Sequence, residues 1–170
     1  MNIFVLDYDP VQAAQSQCDK HVVKMILESA QMLCTAHRVY DPEDCNPNIY
    51  KIAYVNHPCT VWARETTGNY EWLLAHFIEL CYEYTRRYDK IHKCHSLVSY
   101  LNHYPTTMPR GHMTPYALCM PQQYKDGSTV ESYRRFYMSK QFKFDMRWSA
   151  PSCSPVWFIR RRLLKVTNGR

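Results

Sequence analysis

Glycine is scarce, with four in 170 residues. So little of the residue that tolerates positive φ disfavours nucleotide-binding folds built on glycine turns, and no Gly-rich phosphate loop occurs. GxSxG, HExxH and CxxC are also missing, which removes the serine-hydrolase elbow, the zincin helix and paired-cysteine zinc or redox motifs. Nowhere do eighteen apolar residues stand together. The opening MNIFVLDYDP has no basic stretch ahead of its short apolar run. Neither a membrane span nor a signal peptide is therefore expected, and the chain should stay in the cytoplasm, that of the host if the source is viral.

What is present suits a globular protein. The 46% of hydrophobic residues and 14% of aromatics suffice for a core without metal or disulfide staples. No linker, repeat or low-complexity tract divides the chain, so one helical domain over residues 1–158 is expected, followed by a basic tail at 159–170. The eight cysteines, at 18, 34, 45, 59, 81, 94, 119 and 153, are scattered among apolar neighbours and read as free thiols of a reducing compartment. Residues 1–146 hold fifteen Lys/Arg against fifteen Asp/Glu, whereas residues 147–170 hold six cations and no acid, so the whole net charge of +6 lies at the C-terminal end. A cationic surface of that kind attracts phosphate backbones, or is simply a solvated end.

The hydrophobic pattern predicts a mainly α fold with a short N-terminal extended segment. Residues 2–6 are apolar, β-branched and aromatic before Asp7, Asp9 and Pro10 stop the run. A helix is expected from an N-cap at Asp19 to about His37, with Val22, Val23, Ile26, Leu27, Ala30, Leu33, Cys34 and Ala36 facing the core. Residues 41–58 have neither period and read as a connection long enough to be functional. A second long helix is expected over about 59–87, with Gly68 as a weak point. A shorter helix near 96–103 and one over about 129–144, capped by Ser128 or Thr129, complete the set.

Chemistry concentrates on the first long helix. His21, Lys24, Glu28, Gln31 and Thr35 step by three or four residues and form one polar stripe. Lys24 and Glu28 at i,i+4 read as a surface ion pair worth a few tenths of a kcal/mol. If the stripe faces a cleft, the carboxylate can instead stabilise a cationic sugar and the lysine can act as a nucleophile. Asn56 and His57 precede Pro58 at a helix start, where they offer donors to a phosphate or a base edge, or merely cap the helix. Arg87, Lys90 and His92 form a basic group suited to phosphate. His92, Cys94, His95 and His103 lack the paired spacing of structural zinc, so no metal or other cofactor is expected. Tyr133, Arg134 and Tyr137 share a helix face and suit stacking on bases and pairing with phosphates, or form an amphipathic border.

The run Asp19-Lys20-His21-Val22-Val23-Lys24-Met25-Ile26-Leu27-Glu28-Ser29-Ala30-Gln31, followed by Asn56-His57-Pro58 and Trp62, resembles the pyrimidine dimer DNA glycosylase family over about residues 1–90. Further segments, among them Ala117-Leu118-Cys119-Met120-Pro121 and Tyr133-Arg134-Arg135-Phe136-Tyr137, look like those of uncharacterised phage and viral proteins of that kind. The resemblance implies an all-helical DNA repair enzyme that flips a nucleotide, forms an imine between an amine and C1′ of the sugar, and uses a glutamate for stabilisation and strand cleavage. Glu28 is the candidate glutamate. In the phage enzyme of this activity the amine is the N-terminal one, freed by methionine removal. Here Met1 precedes the bulky Asn2 and is expected to be retained, so Lys24 or Lys20 becomes the alternative amine.

Two classes of function follow. The first is a DNA glycosylase/AP lyase acting on damaged or modified pyrimidines, with Glu28, Lys24 and His21 as its chemistry and Lys20, Gln31, Asn56, His57, Arg87, Lys90, His92, Tyr133, Arg134 and Tyr137 contacting substrate. The second is a non-catalytic viral binder of a nucleotide or nucleic acid, or an enzyme that modifies a free nucleotide. Both give DNA or a nucleotide as partner and no membrane.

Overall fold

In the computed structural model, which describes residues 1–160, the long helices dictated by the 3.6-residue pattern form the centre of the molecule. Helices α1 (Pro10–Gln15), α2 (Asp19–Tyr40), α3 (Pro58–Trp62), α4 (Thr67–Tyr88), α5 (Val98–Leu101) and α6 (Thr129–Ser139) follow in order, with 3-10 turns at Lys93–Leu97, Gln122–Tyr124 and Lys140–Phe142. No strand occurs among the described residues. Nor is any helix among them long and apolar enough to cross a membrane. Helix α2 packs chiefly against α4, and α4 also carries α1. One hydrophobic cluster runs from Ile3 to Phe158. Of the basic tail expected at 159–170, residues 161–170 lie outside the described residues.

Helix α2 is covered on most of its circumference. Val22, Met25, Ile26, Ala30, Leu33 and Cys34 are buried, and so are Ser29 and Thr35. Val23 and Leu27, expected in the core, are instead 40% and 41% exposed. At 100° per residue these two, an i,i+4 pair, lie beside Lys24 and Glu28, so they follow the polar stripe to the surface. The N-cap position belongs to Cys18, one residue earlier than expected. Asp19 is the first helical residue, and its carboxylate accepts from the amide and hydroxyl of Ser149 and from Arg87.

The N-terminal segment is buried but has no partner strand, so side chains satisfy its backbone, as burial requires. The Asn2 amide donates to Glu28 and the Phe4 amide to Asn2 Oδ1. Gln17 donates to the Ile3 carbonyl, Arg134 to that of Leu6, and the Trp72 indole to that of Tyr8. These bonds place residues 1–6 along α2 and hold the chain start against Glu28.

The expected helix over 59–87 is two helices. The chain leaves helical geometry after Trp62 and re-enters at Thr67, where the extended Thr66 (φ −144°, ψ 159°) caps α4 by accepting from the Asn69 amide. Asn69 reaches back to the Trp62 carbonyl at 2.7 Å and fixes the corner. Gly68 is a point of close approach rather than a weak point: a Cβ there would lie 2.7 Å from the Met113 backbone nitrogen and 2.9 Å from the His112 carbonyl carbon. The last helix also ends earlier than expected, its α-geometry giving way at Lys140 to a 3-10 turn. Its start has a full capping box between Ser128 and Glu131, a reciprocal pairing that satisfies two orphan amides.

Candidate active site

Glu28 stands in the third turn of α2, where the polar stripe meets the N-terminal segment. It is 9% exposed. Its Oε2 accepts the Asn2 amide at 2.8 Å, and the Met1 amino nitrogen lies 3.9 Å from the same oxygen. Lys24 Nζ is 3.4 Å from Oε1. Two primary amines and one carboxylate thus share a volume a few ångströms across. The Met1 side chain is an anchor, 1% exposed and accepting from the Thr60 hydroxyl at its sulfur. The Lys24 side chain is 66% exposed, at the mouth.

This group faces an open cavity of about 580 Å³, within the range of small-molecule sites. One wall comes from Met1 and from Val23, Lys24, Leu27, Glu28 and Gln31 of α2. The other comes from Tyr50 and Tyr54 of the long connection and from His92, Lys93 and Cys94 after α4. The connection is clamped to α2. The Ala53 amide donates to Thr35 Oγ1 at 3.1 Å, and the Arg38 guanidinium donates to the carbonyls of Ile49 and Tyr50. Tyr54 adopts φ 48° and is 68% exposed. A left-handed aromatic residue is strained and persists only where its surroundings hold it, and here it projects an aromatic ring at the cavity. Cations of Lys24 and Lys93 and the apolar patch of Val23 and Leu27 surround the entrance, a mixture that fits a phosphate chain carrying flat bases.

The other residues picked from the sequence are distributed as follows. Gln31 and His92 line the cavity with Lys24 and Glu28. His57 caps α3, its Nδ1 accepting from the Cys59 amide. Burial pushes its imidazole below the ordinary value, the nearby Met1 amine adding to that and Glu28 opposing it. Asn56 is exposed in the same turn. Lys20, one turn before Lys24, leaves the cavity and lies over the Phe144 ring, 5.0 Å from its centroid. His21 stacks on Phe4 at 4.8 Å and meets Tyr137 and Phe144 edge-on, away from Glu28. Its imidazole is pushed down to about 4, chiefly by burial and then by Lys140 and Lys24.

The remaining residues expected at the substrate lie outside the cavity lining, three of them buried in the core. The Arg87 side chain is fully buried, paired with Glu83 and Asp19 and donating to the carbonyls of Gln15 and Gln17, while Lys90 is exposed. Tyr133 and Tyr137 are fully buried. The hydroxyl of Tyr137 accepts from the Cys18 amide and that of Tyr133 donates to the Ala117 carbonyl, so neither ring faces a ligand. Arg134 bonds Leu6 and Asp7 and lies over Trp157. Sequence reasoning did not find Tyr50 or Tyr54, and it set the amine of Met1 aside in favour of Lys24 or Lys20, while Lys93 belongs to the basic group read with Lys90 and His92. The positive φ of Tyr54 leaves no mark in a periodicity, and Tyr50 arrives by chain reversal.

No curated protein and no solved structure matches the chain. The model of one family, described as pyrimidine dimer DNA glycosylase, matches residues 1–96. That span holds every residue lining the cavity, from Met1 to Cys94. The family is one of DNA glycosylases, with DNA as substrate, and with more than half of its length matched the chain belongs to the pyrimidine dimer DNA glycosylase family.

Proposed function

We propose that the chain is a DNA glycosylase/lyase that removes damaged or modified pyrimidines, with an amine beside Glu28 as nucleophile. The observation that carries this reading is the placing of the Met1 amino group and Lys24 Nζ 3.9 and 3.4 Å from one buried carboxylate in an open cavity. Of the two, the Met1 amine is the nucleophile. It is the more enclosed, fixed beside Glu28 by its buried side chain, whereas the Lys24 side chain is largely exposed. Lys24 supplies charge at the mouth.

Chemistry in a duplex needs the nucleotide out of the stack, at a cost of a few kcal/mol. The exposed ring of Tyr54 and the Lys24 and Lys93 cations offer stacking and phosphate pairing to offset it. The neutral amine attacks C1′, the bond from C1′ to the base nitrogen breaks, and the base leaves with a proton. Loss of the remaining amine proton and opening of the sugar ring, with O4′ protonated, give a C1′ imine. Glu28 stabilises the cationic sugar and then takes a C2′ proton as the 3′ phosphate leaves. Water hydrolyses the imine and frees the enzyme.

The test is a strand-cleavage assay on duplexes carrying a pyrimidine dimer, an abasic site or a modified pyrimidine. Base release and a nicked strand that both vanish in Glu28→Gln are the expected result. Tight binding of free nucleotides with no reaction on any duplex would instead make the chain a binder.

A further inference from the structure

Outside the cavity lining, three ligand-type side chains converge that the base-excision reading does not use. His57 is the N-cap of α3, Cys59 is in its first turn, and Cys119 comes from the loop before α6, sixty residues on. Their candidate donor atoms lie within 4.8 Å of one another, and the two sulfurs are 3.2 Å apart. We propose that His57, Cys59 and Cys119 form a site for a thiophilic divalent metal ion of the zinc type, three protein ligands leaving a fourth position for water.

Geometry and chemistry both favour this occupant. Zinc binds thiolate at about 2.3 Å and imidazole at about 2.0 Å, so tetrahedral thiolates stand roughly 3.7 Å apart. The sulfurs need to part by only about half an ångström for that, whereas a disulfide, near 2.05 Å, requires them to close by more than an ångström. Two sulfurs and one imidazole are a soft donor set of the kind that suits zinc.

The surroundings resemble the support a metal's ligands receive. The Cys119 amide donates to the Tyr133 hydroxyl, and the Cys119 carbonyl accepts from the Asn2 side chain at 2.8 Å. Such outer partners orient ligands, and the Asn2 bond ties the site to the residue whose amide holds Glu28. His57 and Cys59 lie within the family-matched residues 1–96 and Cys119 lies outside them, so the site joins the matched span to the residues that follow it. The inference stands whether or not the cavity excises bases.

Cobalt(II) tests it. Full-length protein, reduced and stripped with a chelator, is titrated anaerobically with cobalt(II) and followed by absorbance. Binding of one ion per chain, with thiolate-to-cobalt charge transfer and tetrahedral ligand-field bands displaced by zinc, is expected. Cys119→Ser and His57→Asn should weaken binding at least tenfold, while Cys153→Ser, which removes an exposed thiol, should leave it unchanged. Zinc should also raise the melting temperature of the wild-type chain, a readout that needs no variant to fold. Absence of cobalt bands in fully reduced protein, bands unaltered by Cys119→Ser, or isolation of a Cys59–Cys119 disulfide from protein handled without oxidant would each overturn it.

Discussion

The amide of Asn2 donates to Oε2 of Glu28 across 2.8 Å, and this bond ties the start of the chain to the middle of its first long helix. A carboxylate buried with a backbone donor and two amines around it serves both fold and chemistry, and substitution should separate the roles. Glu28→Gln keeps an acceptor for the Asn2 amide and should retain the melting temperature while base excision falls by about 10² or more. Glu28→Ala also strands that amide and should cost a further ~1–3 kcal/mol of stability. Denaturant titrations beside the cleavage assay give both numbers. Equal activity in Glu28→Gln and wild type would remove Glu28 from the chemistry.

The cationic mouth predicts the salt dependence of DNA binding. Every phosphate neutralised by a protein cation steepens the fall of log K with log salt by about 0.9. Lys93→Ala should therefore weaken binding on every sequence alike and flatten the slope by about that amount. Lys90→Ala, exposed but outside the cavity wall, should do so less. Fluorescence anisotropy at several salt concentrations measures both slopes.

His21 predicts an acid-labile fold. The unfolded chain takes up this proton near pH 6.5, the folded chain only near 4. As pH falls between those values the unfolded state binds more protons, so stability drops, by roughly 3 kcal/mol once both forms are protonated. Burial causes most of the shift, and Nδ1 has no hydrogen-bond partner. His21→Phe keeps the stack on Phe4 without a titrating group. It should be less destabilised than wild type on going from pH 7 to pH 4, as thermal melts across that range would register. His76, fully buried and pushed down to about 3, leaves a second acid-sensitive step in both proteins.

Gly68 shows where local propensity misleads. Alanine ordinarily favours a helix by about 1 kcal/mol over glycine, yet Gly68→Ala would press a Cβ into backbone atoms of His112 and Met113. The expected result is a lower melting temperature, by about 1–3 kcal/mol in stability. A higher one would mean that the 111–113 loop yields.

The legible parts of the molecule were those a local pattern encodes. Helix α2 follows from its 3.6-residue repeat, and the Lys24–Glu28 pair from its i,i+4 spacing. Periodicity gives a helix's faces but not their neighbours, so Tyr133 and Tyr137, read as a face for bases, are core residues, and Val23 and Leu27, read as core, border the cavity. Tyr54 and Met1 join Glu28 because residues 41–58 fold back over α2 and the chain start is held by side-chain bonds, and Lys93 does so because α4 packs on α2 and delivers the turn that follows it. The meeting of Cys59 and Cys119 is equally non-local. The break at Thr66 depends on one cap and one Asn69 bond, which a continuous apolar pattern hides.

Reduction with borohydride during reaction on damaged DNA, followed by peptide mapping of the trapped adduct, reads the amine beside Glu28 directly. The covalent sugar should be found on the amino group of Met1, at normal yield in Lys24→Ala and lost when one extra residue is added ahead of Met1. No adduct on any damaged duplex, or an adduct on another side chain that is indifferent to Glu28→Gln, would contradict the account.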